Sequence, residues 1–405
     1  MRVCLVSQEY PPGYVGGIGT QTRSKARGLQ ALGADVEILT TGDRHGPALA
    51  TRDDCGLPVH ELRPPGGAFE LHTTEGYWLG YSWAVLEALR RLGAERRYDV
   101  IDFPDYGAEG FAHQLDRAAE DPTATVVHLH GSLAMFSSQI GWPPPEDPLL
   151  RAGMFMEDAA IAAADGVLAA SEGIAQLTGR RLGLDPSRID VVAGAVDTEV
   201  FCPPTGAPRR AAPRLLFVGN LVENKGFTTV LDAFIRLSEA HPTLLLAIAG
   251  SAEREVTERL SARAAQAGVA DRIELLGFVE HEDLPALYRS ADVFAAPSRY
   301  EGGLGLVYLE AMACGLPVIA RRAGGAAEAV LDGETGLLLV HGDVEETAAA
   351  IDTLLVDAAL RARMGAAARV HVTSNFTQEQ YARRVRRGYE RALERRRGSL
   401  EAAAA

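Results

Sequence analysis

Apolar residues in this chain fall into short blocks that alternate with longer stretches in which they recur every three or four positions. The first block, residues 3–6, runs into Pro11, Pro12, Gly13, Gly16 and Gly17. In residues 20–32, Ala26, Leu29 and Leu32 share one face, and Arg23, Lys25 and Arg27 are expected in solvent. A short apolar run bounded by turn residues predicts a buried strand, and the 3.6-residue recurrence predicts a helix, closed here by Gly33. Val36, Ile38 and Leu39 begin the next strand, so the opening is a βαβ unit with a glycine-bearing first turn. The alternation continues with strands expected at 100–103, 125–130, 166–170 and 189–193, and helices at 77–92, 151–164 and 172–181. Residues 43–76 are rich in Gly, Pro, His and charge with little periodicity, which predicts loops and one short hairpin. In the 77–92 helix, Trp78, Tyr81, Trp83, Val85 and Leu89 could form core or an aromatic wall for an acceptor. Strands alternating with helices predict an α/β fold built on a doubly wound, mostly parallel sheet.

Residues 203–213 hold Pro203, Pro204, Pro208 and Pro213 with Gly206, Arg209 and Arg210, the composition of a linker. Beyond it the pattern restarts, with strands at 215–218, 244–249, 273–276, 293–296, 318–320 and 337–340. Two similar domains are therefore expected, at 1–205 and 206–376. The last helical segment carries Arg383, Arg384, Arg386, Arg387, Arg391 and Arg395–Arg397, with Tyr381, Val385, Tyr389 and Leu393 on its apolar side. Its basic face is expected in solvent, with a peripheral membrane contact as the alternative. Residues 399–405 resemble the remnant of a tag.

Composition narrows the function classes. The 405 residues are 47% hydrophobic and 23% charged, ordinary for a globular protein of two domains. A formal charge of −14 opposes nucleic-acid binding, which needs an excess of Lys and Arg. Cys4, Cys55, Cys202 and Cys314 lack metal-like spacing and are expected to be reduced and mostly buried, as in a cytoplasmic protein. No leader is expected, because the opening apolar run is short, and no stretch approaches the ~18 apolar residues of a membrane span. Richness in Ala, Gly and Arg suits a bacterial source of high GC content.

The candidate chemistry concentrates in residues 297–319, PSRYEGGLGLVYLEAMACGLPVI. A strand ends at Pro297 and Ser298, a loop holds Gly302, Gly303 and Gly305, and a helix from Leu306 stops at Gly315 and Pro317. In a parallel sheet this loop lies at the carboxyl ends of the strands, where such folds bind ligands. Free amides at a helix N-terminus attract anions, and glycines admit close approach of a phosphate. Glu301 and Glu310 flank the loop with acceptors for sugar hydroxyls. Phosphate cradle and carboxylates together point to a nucleotide sugar. The first glycine turn is not a dinucleotide fingerprint, since Thr22 stands where G-x-G-x-x-G requires its last glycine.

These segments resemble those of the family-4 retaining glycosyltransferases. The resemblance rests on GGIGTQ, HLHG, VGNLVENKG, PSRYEGGLGLVYLEAMACGLPVIA and GGAAEAVLDGETGLLL, and spans nearly the whole chain. It implies a GT-B fold, in which two Rossmann-like domains face a deep cleft and a C-terminal helix, about 377–397, crosses back to the acceptor-binding N-terminal domain. It implies a metal-independent hexosyl transfer from a nucleotide diphosphate sugar, with no cofactor. Lys225 would bind the donor diphosphate, His130 would point toward the transferred sugar, and Glu310 would accept from the ribose. Gly16, Gly17, Gly219, Asn220, Gly302, Gly303, Leu304, Gly305 and Leu306 would line the donor. Two departures stand out. Asn220 replaces a usual Arg, leaving Arg299 or Arg321 to supply the charge, and eight residues rather than seven separate Glu301 from Glu310. Glu301 then either reaches the sugar through a bulge or is displaced by Gly302. The acceptor is a glycolipid, polysaccharide or secondary metabolite, and the oligomeric state is unspecified. The alternatives are a non-catalytic sugar-nucleotide-binding protein and, opposed by the missing fingerprint, a nicotinamide-dependent oxidoreductase.

Overall fold

The computed structural model describes residues 1–12, 16–65, 73–204 and 212–404. Most of the expected linker falls at 205–211, outside the described residues. Two compact units emerge, one made of residues 1–195 and 378–405 and the other of 196–377.

In unit 1 the strands are β1 (Arg2–Val6), β2 (Asp35–Thr41), β3 (Leu49–Asp54), β4 (Leu57–Leu62), β5 (Val100–Pro104), β6 (Ala124–Leu129), β7 (Gly166–Ala169) and β8 (Ile189–Val191). Its helices are α1 (Gly17–Ala31), α2 (Thr74–Leu92), α3 (Phe111–Asp116), α4 (Leu133–Ile140), α5 (Pro148–Ala163) and α6 (Glu172–Leu182). The sheet order is β3-β4-β2-β1-β5-β6-β7-β8, and every pairing is parallel except β3 with β4. Every position of β1, β5, β6 and β7 is buried, as expected of strands covered on both faces. The β3–β4 hairpin is the one expected between residues 43 and 76. Cys55 and Gly56 turn it with φ of 56° and 84°, the left-handed pair of a two-residue loop. The expectation of mostly buried cysteines is corrected here: Cys4 and Cys314 are buried, Cys202 is partly so, and Cys55 is exposed in this turn.

In unit 2 the strands are β9 (Arg214–Val218), β10 (Leu245–Ala249), β11 (Ile273–Gly277), β12 (Val293–Ala296), β13 (Val318–Arg321) and β14 (Gly336–Leu339). They form an all-parallel sheet in the order β11-β10-β9-β12-β13-β14. The helices are α7 (Phe227–Leu237), α8 (Arg254–Gln266), α9 (Leu284–Arg289), α10 (Leu306–Ala313), α11 (Ala326–Ala329), α12 (Val344–Val356) and α13 (Ala358–Asn375).

The last helix, α14 (Gln378–Ala404), returns to unit 1 and packs on α1, β6 and β7. It starts and ends later than the expected 377–397, and residues 399–404 continue it. Tyr381, Val385, Tyr389 and Ala392 are buried beneath it. The Tyr389 hydroxyl donates to Asp102 of β5, which also receives Lys25 Nζ of α1 at 2.6 Å, so a buried charge pair ties three elements together. The expectation of Lys25 in solvent is corrected here: it is 3% exposed, because a carboxylate buried in the sheet needs a charged partner. Several arginines of α14 are engaged within unit 1: Arg383 with Glu379, Arg386 with Glu390, Arg391 with Asp190, and Arg396 with the carbonyls of Ala118, Ala119 and Asp121. No described helix is long and apolar enough to cross a membrane.

Both sheets reverse direction in their middle. From β9 the chain builds outward through β10 and β11, then crosses back to place β12 on the other side of β9. In unit 1 the same reversal separates β1 from β5. The loops leaving neighbouring strands diverge at such a point and open a crevice at the carboxyl ends, which is where the candidate residues lie.

Candidate functional site

The turn after β9 carries Lys225 and the loop after β12 carries Glu301, so the reversal in unit 2 brings together residues 76 apart in sequence. Lys225 Nζ donates to both carboxylate oxygens of Glu301, each at 2.8 Å. The Lys225 side chain keeps 30% of its surface open and that of Glu301 keeps 12%. Lys225 is delivered by a 3-10 turn, Glu223–Lys225, that ends in Gly226 with φ 79°. A Cβ at Gly226 would lie 2.7 Å from the Pro297 carbonyl oxygen, so glycine is what lets the two loops touch. The Arg299 amide closes the contact by donating to the Asn224 carbonyl at 2.7 Å.

The stretch from Glu301 to Glu310 is held by close backbone contacts. Gly305 takes φ 75° and ψ 98°, and a Cβ there would press on the Tyr308 ring at 2.6 Å. Tyr308 in turn donates to the Ala296 carbonyl at 2.6 Å, pinning the first turn of α10 to the end of β12. From the other side the Gly325 amide donates to the Glu301 carbonyl at 2.8 Å. A Cβ at Gly324 would overlap the Glu301 carbonyl and one at Gly325 that of Gly303. Glu301 is thereby held facing Lys225.

Helix N-termini expose amides that need partners. Side chains cap α2, α4, α5, α6, α12 and α13, whereas α1, α7 and α10 start at Gly16, Gly226 and Gly305 with no side-chain cap. Neither α10 nor α1 has an acidic residue in its first turn. Their first amides suit an anionic ligand. Gly302 and Leu304 are buried, and Leu304 packs inward as core rather than presenting its side chain at the loop surface.

Glu310 faces inward from α10 and is 5% exposed. Tyr288 donates to its Oε2 at 2.9 Å, and His281 Nε2 lies 3.3 Å from Oε1. Each carboxylate oxygen thus has one protein partner and retains acceptor capacity for a sugar hydroxyl. Gly219 and Gly250 end β9 and β10, and a Cβ at Gly250 would overlap the Gly219 carbonyl. Asn220 is exposed beside them. Among the described residues neither Arg299 nor Arg321 forms an ion pair, so both remain candidates for the charge that Asn220 lacks.

In unit 1 the candidates lie at the carboxyl ends of β1, β5 and β6. The Gly16 amide donates to Glu9 Oε2 at 2.7 Å, and Gly17 opens α1. The His130 amide donates to Asp105 Oδ1 at 2.8 Å, and its ring stacks on that of His128 with centroids 4.3 Å apart. Burial, and then the Lys25 cation, push the His130 imidazole down to about 3, so the ring is neutral at physiological pH. It can donate or accept a hydrogen bond but carries no proton to give as an imidazolium.

Four acidic residues that sequence reasoning passed over hold this face together. Besides Glu9 and Asp105, Glu109 Oε1 accepts from the Gln8 amide at 2.9 Å and Glu157 Oε2 from the Leu133 amide at 2.9 Å. Burial raises Asp105 to about 6 and Glu109 to about 8, and pushes Glu157 well above the carboxylate range. The signal for Asp105 is its place directly after a buried strand. Glu157 gives none, because it sits inside an ordinary helical pattern. Tyr288, His281, Gly324 and Gly325 were also missed, although the glycine pair lies in a segment that the resemblance includes.

Asp105 makes stability pH-dependent with a definite sign. Its folded value of about 6 exceeds the ordinary 3.8, so between these values the native state binds the extra proton and stability falls as pH rises. The loss is on the order of 3 kcal/mol. Urea unfolding of wild type and Asp105→Asn at pH 4 and pH 7 should show the gap between them shifting toward the variant at the higher pH. A gap that stays constant across that window contradicts the assignment.

The chain is similar to known proteins over nearly its whole length. Residues 16–195 match the glycosyl transferase 4-like domain, and residues 207–371 match the glycosyl transferases group 1 domain. The chain is 30% identical over 387 residues to a glycogen synthase of Mycobacterium tuberculosis, covering 93% of this chain and 91% of that protein. It is 31% identical over 420 residues to a D-inositol 3-phosphate glycosyltransferase of Xylanimonas cellulosilytica, covering 98% of each. Among solved structures, the sucrose-phosphate synthase of Thermosynechococcus elongatus superposes with a TM-score of 0.82 at 22% identity, over 97% of this chain and 99% of that one. HepE of Anabaena, solved in complex with UDP and glucose, gives a TM-score of 0.73 at 20% identity over 96% and 98%.

Proposed function

The chain belongs to the group 1, family-4-like glycosyltransferases of GT-B fold, and on that premise we propose a retaining, metal-independent transfer from a nucleotide diphosphate sugar to an acceptor hydroxyl. The observation that carries the reading is the Lys225–Glu301 pair beside the uncapped N-terminus of α10. An ammonium has three donors, so Lys225 can hold Glu301 and still address a diphosphate oxygen. As the bond from the anomeric carbon to the diphosphate breaks, negative charge grows on the leaving group. Lys225 and the amides of Leu306 and Val307 are already in place to meet it, which is how preorganised charge lowers a barrier.

The acceptor oxygen bonds to the anomeric carbon on the face the diphosphate leaves, and its proton passes to a diphosphate oxygen. Glu310 accepts from the ribose, while Glu301 divides its carboxylate between Lys225 and a sugar hydroxyl. Gly219, Asn220, Gly302 and Gly303 let the donor approach the backbone. Unit 1 receives the acceptor, with neutral His130 as a hydrogen-bond partner for a sugar hydroxyl and the first amides of α1, at Gly16 and Gly17, as partners for an anion.

A thermal-shift screen with UDP, GDP, ADP and dTDP tests the donor half. One nucleotide at a hundred times its Kd should stabilise the protein by about 2.7 kcal/mol. The sugar conjugate of that nucleotide should then release it in the presence of EDTA. Stabilisation by none of the four, or release abolished by EDTA, would overturn the reading.

A further inference from the structure

Glu9, Asp105, Glu109 and Glu157 ring the carboxyl ends of β1, β5 and β6, and each spends an oxygen on a backbone amide of another segment. Among the described residues none of the four pairs with a Lys or Arg. Glu109 is 3% exposed and Glu157 is 0% exposed, and one oxygen of each, Oε2 and Oε1 respectively, is buried without a hydrogen-bond partner. One cation, Arg181, bears electrostatically on a member of this cluster, Glu157, and two more bear on its neighbours, Lys25 on His130 and Arg44 on Tyr77. Lys25 is committed to Asp102 and Arg181 to Asp158, leaving Arg44 exposed on the loop after β2.

Phosphate esters are recognised by Arg or Lys and by free amides at helix N-termini. Here the amides at the start of α4 and the one just before α1 are taken, and the first amides of α1 itself are those already offered to the donor's anion. Leu133 and Met135 at the start of α4 donate to Glu157 and to the Ser132 hydroxyl, and Gly16 before α1 donates to Glu9. Bringing a phosphate to carboxyl groups that already resist ionisation would force proton uptake or exclusion. A neutral hydroxyl, both donor and acceptor, suits a carboxyl in either state.

We propose that the acceptor is an uncharged polyhydroxylated compound, a sugar or cyclitol, and that this carboxylate cluster discriminates against its phosphorylated counterpart. The inference rests on the glycosyl-transfer reading above and adds the acceptor class. Beside Glu9 and Glu109, Gln8 and Tyr77 supply the polar surface. Gln8 Nε2 donates to the Tyr77 hydroxyl at 2.9 Å, which leaves that hydroxyl's own proton for an acceptor oxygen.

The test uses the full chain and the sugar nucleotide it turns over. Nucleotide release is measured with three pairs: glucose and glucose 6-phosphate, myo-inositol and myo-inositol 3-phosphate, and glycerol and glycerol 3-phosphate. The expected result is stimulation by the neutral member of at least one pair, with kcat/KM at least about tenfold above its phosphate ester, equivalent to one pKa unit of mutual repulsion. Preference for the ester, or stimulation by neither member of any pair, overturns the proposal. Glu9→Gln and Glu109→Gln, checked for folding by their melting temperatures, should each narrow the preference. An unchanged ratio in both variants overturns the role given to the carboxylates. Failure to bind any nucleotide is a failure of the glycosyl-transfer reading. Turnover with preference for the ester is a failure of this inference alone.

Discussion

Lys225→Ala should lower nucleotide release from the donor by about 10²–10³-fold, the loss typical of removing one preorganised charge-stabilising donor. The loss should appear mostly in kcat, because charge on the leaving diphosphate peaks in the transition state. The variant also strands Glu301, whose carboxylate loses both hydrogen bonds to Nζ. Glu301→Gln separates the two effects. It keeps the shape of the side chain and one acceptor oxygen while removing the charge, and should cost about tenfold, because Lys225 remains but is less firmly aimed. Steady-state release assays on the three proteins decide the matter. If Lys225→Ala keeps more than about a third of wild-type kcat, far above the loss expected for such a donor, the anion site lies elsewhere and Arg299 or Arg321 becomes the better candidate.

Gly325→Ala should damage the same site from a distance. The backbone of Gly325 has no positive φ, so the penalty arises from space alone: the added Cβ would overlap the Gly303 carbonyl. Overpacking of this kind costs about 1–3 kcal/mol, which should register as a lowered melting temperature. The activity loss should be larger in proportion, about 10–100-fold, since the relief available is to push the 301–303 loop away and Glu301 with it. Gly333→Ala is the control. Gly333 takes φ 75°, but a Cβ added there would meet nothing within 4 Å. It should therefore lose about 1 kcal/mol of stability and no activity. Equal activity losses in the two variants would show that the loop contact is irrelevant to catalysis.

The two variants also separate what could be read in the chain from what could not. The strands were legible because parallel strands buried on both faces leave unbroken apolar runs; β9, β12 and β5 appear within a residue or two of the expected positions. The 43–76 hairpin was legible more faintly, from turn residues between weakly apolar segments. The short helices α3, α9 and α11, of 6, 6 and 4 residues, were not legible, because so few turns give no recurrence to detect. The aromatic face of α2 split in a way periodicity does not decide: Trp78 and Tyr81 are buried, while Trp83 is 55% exposed. The doubt over Glu301 had the same origin. Spacing alone could not say whether the added glycine displaces the carboxylate or is taken up as a bulge.

By itself the sequence determined the element types, the two-domain repetition and the chemistry available at each loop, because these depend on local patterns of polarity, glycine and charge. It placed Lys225 and Glu301 on loops that follow buried strands and Glu310 on the helix between two of them. Tertiary structure decided which of these meet. The strand order puts β9 beside β12, so the loops after them share one crevice and Lys225 reaches Glu301. It also decided that Glu310 is shared with Tyr288 and His281, and that four carboxylates converge on unit 1 without a cation among their described partners. Strand order and burial are set by packing between distant segments, and no local pattern encodes them.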